Sequence, residues 1–406
     1  MAAPTVERVR LRVGFATQNS VKISVVTFNN TNPVSVTSSS GTAVVGTRTA
    51  LGNADTFCYT GIVTISGLSA GRTYTGTMQQ GASEVISFSF KTQPSNNNFN
   101  IFGISCAKHN PQPTGSIWKV LRENVVSRAP TAIAHIDDLG YFDTLRVGSF
   151  SSIGDTATGT NTGSQDPETG LGQRGVPVTT GAGSIPNGQD DYIIAWMAWY
   201  GMFPQWFTYP GKEDYEWCMR NVAHWDQLGD HEYYPDARSH VLIGAVGDAE
   251  SGQIPNIDSF AQVNWDAFVG DAGPPRTSFT GGTAAWAFEC GNVAFASPDF
   301  ISQAQCYNAM DTGDTGSRGA ADSGWYIDDV SDSAEWIDLY GSTPANWPVT
   351  TPSRTSGTNA NNNVNHGTDT TPPDYLGTTQ AGELATFFTG SSAKSKVLLS
   401  AKRITA

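Results

Sequence analysis

Residues 129–143 read APTAIAHIDDLGYFD, a short apolar run that breaks into two acids, a glycine and two aromatics. An apolar run of this length, bounded by polar and Gly-containing residues, predicts a strand buried on both faces that opens into a loop. Upstream, FNIFGISCAK (99–108) predicts a second apolar strand ending in small residues. Between them GSIWKVLRENVVSR (115–128) sets Ile117, Val120, Leu121 and Val125 at helical spacing. Downstream, WDQLGDHEYY (225–234) closes a third strand with another acidic, histidine-bearing loop. Strand, helix and strand with polar groups at the carboxyl ends is the α/β layout in which functional sites collect.

The first hundred residues follow another rhythm. RVRLRVGF (8–15), SVKISVVTF (20–28), TGIVTISGL (60–68), RTYTGTMQQ (72–80) and EVISFSFKT (84–92) alternate apolar and polar residues at period two. Gly, Asn and Ser clusters separate them, which predicts a β-sandwich over residues 1–95. PSNNNFN (94–100) reads as a polar linker, so a second domain is expected over 99–406. Within it, DDYIIAWMAWYGMF (190–203) predicts a core-packed helix. TTQAGELATFFTGSSAKSKVLLSAKR (378–403) predicts a helix presenting Leu384, Phe387 and Phe388, then a buried strand, KVLLS. Residues 148–190 and 311–375 lack apolar periodicity and are predicted to be long Gly/Ser/Thr-rich loops.

Composition narrows the function classes. The 406 residues include 43 Gly and 21 Pro, only 15% are charged, and the net charge is −14. That balance argues against nucleic-acid backbone binding and against an anionic membrane as partner. The amino terminus, MAAPTVERVRLRVGF, holds no apolar run long enough for a classical signal peptide, and no membrane insertion is expected. The five cysteines are widely spaced with no CxxC pair, so buried free thiols are expected rather than a zinc ribbon or a disulfide framework.

Three loops carry the polar residues that could do chemistry: Cys106 with His109, Asp137 and Asp138 with Tyr141, and Asp230, His231 and Glu232. Each alone has a plain reading as a buried thiol, a solvated turn or a hydrogen-bonding histidine. Together, hard carboxylates, a phenolate and a thiolate are donors able to bind a trivalent iron beside a harder divalent ion. Two such metals about 3.5–4 Å apart can clamp a phosphate ester and generate hydroxide near neutral pH.

The order Ser-Cys, then His-x-x-Asp-x-x-Tyr, then Trp-Asp…Asp-His-Glu resembles the PhoD-like alkaline phosphatases of the calcineurin-like metallophosphoesterase superfamily. His135, Asp138 and Tyr141 fall on the family's His-Leu-Gly-Asp-Tyr-Ile-Tyr motif, and WDQLGDHE matches its Trp-Asp-Asp-His-Glu with an insertion. VNWDAFVGDAGPPR (263–276), similar to the family's Trp-x-x-Phe segment, AFECGNVAFASPD (287–299), similar to its strand ending in an aspartate, and the 376–400 stretch are weaker echoes. ISGLSAGRTYTGTM (65–78) is similar to the fibronectin type III-like module that precedes many such enzymes.

The resemblance implies a fold of mixed α+β and α/β type. A fibronectin type III-like sandwich would precede a metallophosphoesterase-like β-sandwich with flanking helices. It implies iron held by Cys106, Asp138 and Tyr141, and a second ion, calcium by analogy with zinc or manganese as alternatives, shared by Asp138 and Asp230. His231 would contact the phosphate of a mono- or diester substrate and act in catalysis. The chain departs from the pattern at Asp137, where the family has glycine. The family also continues past KVLLS with a Gly-Asp-x-His type motif that supplies further ligands, and this chain reaches Ala406 before it. His366 and Asp369 are conceivable replacements, but they lie in a polar loop before the final helix and are not expected to take that role. A different class of function stays open beside the enzyme: a catalytically degenerate structural or adhesive protein, without metals, of a virion or extracellular appendage, partnered by other copies or structural proteins of an assembly. An extracellular or virion-surface location is expected, with a cytoplasmic one as the alternative.

Overall fold

The computed structural model describes residues 7–51, 58–96, 98–105, 117–136, 139, 193, 196–203, 211–229, 257–276, 279, 284–299 and 378–400. These residues are mostly strand, with few helices.

Residues 9–91 form two antiparallel sheets. The strands are β1 (Val9–Ala16), β2 (Ser20–Thr27), β3 (Val34–Ser38), β4 (Thr42–Val45), β5 (Thr49–Leu51), β6 (Cys58–Ser66), β7 (Thr73–Gln80) and β8 (Ile86–Lys91). One sheet runs β1-β2-β6-β4 with β5 also on β6, and the other runs β3-β7-β8. The period-two pattern explains their meeting. Val9, Leu11, Val13 and Phe15 of β1 join Val63 and Ile65 of β6, and Tyr74, Phe88 and Phe90 of the second sheet, in one apolar cluster. The short strands β3, β4 and β5 were not among the predicted segments. They are rich in Ser and Thr and half-exposed, so burial leaves little mark on their sequence.

Alternation along β1 also places Arg8, Arg10, Arg12 and Gly14 on the opposite face, and that face is covered too. Arg8 Nη1 donates to the Met202 carbonyl at 2.7 Å and Arg10 Nε to that of Gly201 at 3.0 Å. Arg12 pairs with Asp226. The cover is the 196–203 segment, where Trp196, Met197, Trp199, Tyr200, Met202 and Phe203 are all buried, as the core-packing reading of this stretch expects. Trp196 stacks on Phe268 with centroids 5.2 Å apart, and the Tyr200 hydroxyl meets Ser24 Oγ at 2.6 Å. Gly14 lies against the 3₁₀ turn Gly270–Ala272, where an added Cβ would stand 2.2 Å from the Ala272 carbonyl oxygen. Gly14→Val is therefore expected to cost about 3 kcal/mol, read as a lowered urea midpoint, because the obstacle is backbone and cannot swing aside.

The second half contains the predicted strand–helix–strand unit. β9 (Ile101–Ile104), α1 (Ile117–Arg128), β10 (Ala132–His135), α2 (Lys212–Asn221) and β11 (Ala223–Asp226) give a parallel sheet in the order β11-β10-β9. Every residue of β10 (AIAH) and β11 (AHWD) is buried, the polar His135, His224 and Asp226 included. On α1, Val125 is buried and Leu121 packs beside it as expected, but Ile117 and Val120 are 69% and 55% exposed and Trp118 is buried instead. The Trp118 ring sits 4.3 Å from that of Tyr215 in α2, an aromatic contact that favours the rotation turning Trp118 inward. After α1, Ala129 adopts φ 43°, the left-handed region that glycine tolerates best. Ala129→Gly is expected to raise stability by about 1 kcal/mol, visible as a higher melting temperature.

β12 (Trp286–Cys290) and β13 (Val293–Ser297) form a hairpin, and β14 (Ser395–Leu398) adds to β13 in parallel as an edge strand that is mostly exposed rather than buried. The sequence AFECGNVAFASPD reads as one strand, but Gly291 at φ 59° opens a two-residue turn that folds it back on itself. α3 (Ile257–Phe268) precedes the hairpin and α4 (Thr378–Gly390) precedes β14. As predicted, Leu384 of α4 is buried against Ala287 and Ala296, with Phe387 and Phe388 packed beside it.

The described cysteines, Cys58, Cys218 and Cys290, are buried free thiols; burial pushes Cys218 up to about 12 and Cys290 to about 11. Cys106 and Cys306 lie outside the described residues. No helix among the described residues is long and apolar enough to cross a membrane.

Candidate functional site

The ends of β9, β10 and β11 are level. Ile104, His135 and Asp226 are partners across the parallel ladder. The ladder continues one residue further: Ile136 N donates to the Ile104 carbonyl at 2.8 Å, and Gln227 N to that of His135 at 2.9 Å. Three neighbouring strands thus release their chains at one edge. In the sequence, Cys106 follows Ile104 by two residues, Asp138 follows His135 by three, and Asp230 follows Asp226 by four.

Beneath this edge lies a buried polar layer. Asp226 accepts from Arg12 through Oδ1, and its carbonyl accepts from the Trp286 indole at 2.7 Å. Gln227 Nε2 donates to the Pro298 carbonyl at 3.1 Å. Gln380 of α4 makes a reciprocal pair with the Asp299 backbone at 2.6 and 2.9 Å, and Asp299 Oδ2 accepts from Ala284 N at 2.9 Å. Leu139, fully buried, takes the Trp199 indole N–H on its carbonyl at 3.2 Å, which fixes the loop after β10 to the 196–203 cluster. The carboxylates of Asp226 and Asp299 are thus committed to structure. Among the described residues no three His, Cys, Asp or Glu side chains are grouped to hold a metal ion.

His224 lies one residue before Trp225 on the same face as Asp226, with Nε2 3.3 Å from the Cys218 carbonyl. Burial first, then the positive Arg12, holds its pKa well below the ordinary 6.5. The folded state therefore keeps the ring neutral. Its contribution is complete above the unfolded-state value of about 6.5 and is lost as pH falls from there toward the depressed folded value. Wild type should lose about 1.4 kcal/mol more than His224→Gln between pH 7.5 and 5.5, measured by urea denaturation at both pH values.

Of the predicted site residues, Cys106, Asp138, Tyr141, Asp230 and His231 all lie outside the described residues, as do Asp137, His366 and Asp369. The strands that lead to the first five are in place. Sequence reasoning missed Arg12, His224, Gln227 and Gln380 as members of the polar layer under those strand ends. Arg12 had a signal: arginines at 8, 10 and 12 on a strand whose other face is wholly apolar.

No family model matches the chain, and no curated protein matches it. Among solved structures, one described as "Structure of PhoD" aligns with a TM-score of 0.40 at 11% identity, covering 83% of this chain and 60% of its own. The purple acid phosphatase PPD1 from yellow lupin (Lupinus luteus) seeds aligns with a TM-score of 0.36 at 15% identity, covering 73% of this chain and 44% of its own. The chain spans less than two thirds of either protein.

Proposed function

We propose that the protein is a metal-dependent phosphoesterase of PhoD-like type. In this reading residues 1–95 form a fibronectin type III-like module and residues 99–406 carry the site. The supporting observation is the level edge of β9, β10 and β11. Its three chains run directly into the three sequence loops that hold Cys106, Asp138 with Tyr141, and Asp230 with His231. Carboxyl ends of adjacent parallel strands are where α/β proteins gather polar groups from separate parts of the chain.

The donor set suits the proposed ions. A thiolate, a phenolate and a carboxylate from Cys106, Tyr141 and Asp138 match trivalent iron, and Asp230 with Asp138 matches a harder divalent ion such as calcium. Bound metals would supply Lewis acidity toward a phosphoryl oxygen and a hydroxide source near neutral pH. His231 would hold a phosphate oxygen or give a proton to the leaving alcohol. The buried layer below, from Arg12 to Gln380, would keep the loop roots from shifting.

Elemental analysis of the purified protein tests this, together with hydrolysis of p-nitrophenyl phosphate and bis(p-nitrophenyl) phosphate with and without added iron, calcium, zinc or manganese. The expected result is co-purifying metal, or hydrolysis restored by addition. Neither metal uptake nor hydrolysis under any addition would favour the degenerate structural reading.

A further inference from the structure

We propose that Arg12 is a positioning residue: from the N-terminal sheet it holds the carboxyl end of β11, which makes that sheet part of the frame of the site. The inference rests on the phosphoesterase reading for its functional consequence and on the geometry for its structural one.

Three observations carry it. Both partners of the Arg12–Asp226 pair are removed from solvent, with side chains 1% exposed each. Arg12 Nε and Asp226 Oδ2 find no hydrogen-bond partner among the described residues. Taking two charges out of water is costly, and a pair with unmet hydrogen-bonding atoms recovers that cost poorly, so an apolar pair of similar volume would stabilise the fold at least as well. Stability alone therefore does not explain the pair.

The second observation is selectivity within the arginine row. Arg8 and Arg10 grip the main-chain carbonyls of Met202 and Gly201, and Arg10 also pairs with the exposed Glu84, whereas Arg12 reaches across to a fully buried carboxylate at the end of β11. Its guanidinium is itself steadied over the Trp199 ring at 5.7 Å, and Trp199 also holds the Leu139 carbonyl after β10. One arginine thus touches the supports of two neighbouring strand ends.

The third is the set of constraints around Asp226 and Gln227. β12 holds the Asp226 carbonyl through Trp286, β10 accepts from Gln227 N, and the segment after β13 accepts from Gln227 Nε2. Arg12 supplies the only one of these restraints that acts on a carboxylate, and it comes from a separate sheet. A planar, permanently charged fork on a strand gives directional restraint that a flexible lysine would not.

The test separates positioning from stability. Arg12→Met leaves a buried carboxylate uncompensated and should lower the urea midpoint. Arg12→Met with Asp226→Leu removes both charges and should bring it back close to wild type. In that double variant we expect kcat for p-nitrophenyl phosphate to fall by roughly 10- to 100-fold with KM little changed, the size of effect seen when supports of ligating groups are removed. Hydrogen exchange at the Gln227 amide should be at least ~10-fold faster than in wild type despite the restored midpoint, because a 1.4 kcal/mol loss of local protection is tenfold in exchange. A double variant with wild-type kcat and wild-type exchange at Gln227 overturns the inference. If wild type neither binds metal nor hydrolyses either ester, the phosphoesterase reading fails by itself. Exchange at Gln227 then decides the positioning claim: faster exchange upholds it and unchanged exchange overturns it.

Discussion

Trp225→Ala is expected to destabilise the protein by about 3–5 kcal/mol, more than any other single truncation at the edge of the parallel sheet. Trp225 is almost fully buried and points away from His224 and Asp226, toward the β12–β13 hairpin. Its ring lies 4.9 Å from Phe288, 5.2 Å from Phe295 and 6.4 Å from Trp286, so one side chain meets three aromatic rings of the neighbouring sheet. Phe288 continues the contact to Phe15 of β1 at 4.7 Å, which links the parallel sheet, the hairpin sheet and the sheet of β1. Truncation would empty the volume of an indole where β10 contributes only Ala132 and Ala134, residues too small to fill it. The penalty combines lost burial with an unfilled cavity. Trp225→Phe keeps a ring in place and should lose less than half as much. Urea denaturation of the three proteins provides the measurement. A loss below about 1 kcal/mol for the alanine variant would mean that the sheets do not depend on this residue for their contact.

The legibility of this fold divides along a physical line. β9, β10 and the helix between them were readable because each is a run of one periodicity bounded by breakers, and local pattern determines such elements. The 196–203 stretch was readable as core for a simpler reason: its tryptophans and methionines have too much apolar area to leave in water. The second face of β1 was readable as a row of arginines but not as an interface. Arginine at every other position normally marks a solvent face, and only the 196–203 segment, almost 200 residues away in sequence, turns that face into an interface. The rotation of α1 escaped for a related reason. Ile117 and Val120 look as apolar as Trp118, and the contact that favours Trp118 comes from Tyr215 on another helix. The β12–β13 hairpin was missed because its apolar residues run almost unbroken through Gly291 and Asn292, so the turn pair was outweighed by its surroundings. For the site, the three strand ends follow from local pattern. The coplanar alignment that brings them level is a property of the ladder and cannot be read from any one segment.

Asp138→Asn is expected to remove metal and hydrolysis together while leaving the fold intact. In the proposed site Asp138 alone serves both ions, so its loss weakens each of them. The cost in metal affinity should exceed the roughly 10- to 100-fold typical of changes outside the ligand set. Asparagine keeps the size and the hydrogen-bonding oxygen of aspartate but lacks the charge that a trivalent ion requires. The fold should tolerate the change because the neighbours on either side are held independently. Ile136 N is bonded to the Ile104 carbonyl, and the Leu139 carbonyl to the Trp199 indole. His231→Ala makes the useful contrast: metal content should stay near wild type while kcat falls, since an imidazole acting on the phosphate or the leaving group is not a ligand. Elemental analysis, hydrolysis of both nitrophenyl esters and a urea midpoint on each variant distinguish the two roles. If Asp138→Asn retains wild-type metal content and wild-type hydrolysis, the loop after β10 does not carry the bridging carboxylate and the phosphoesterase reading loses its central residue. If His231→Ala loses metal as fully as Asp138→Asn, His231 belongs among the ligands and the proton or phosphate contact must come from elsewhere on the same edge.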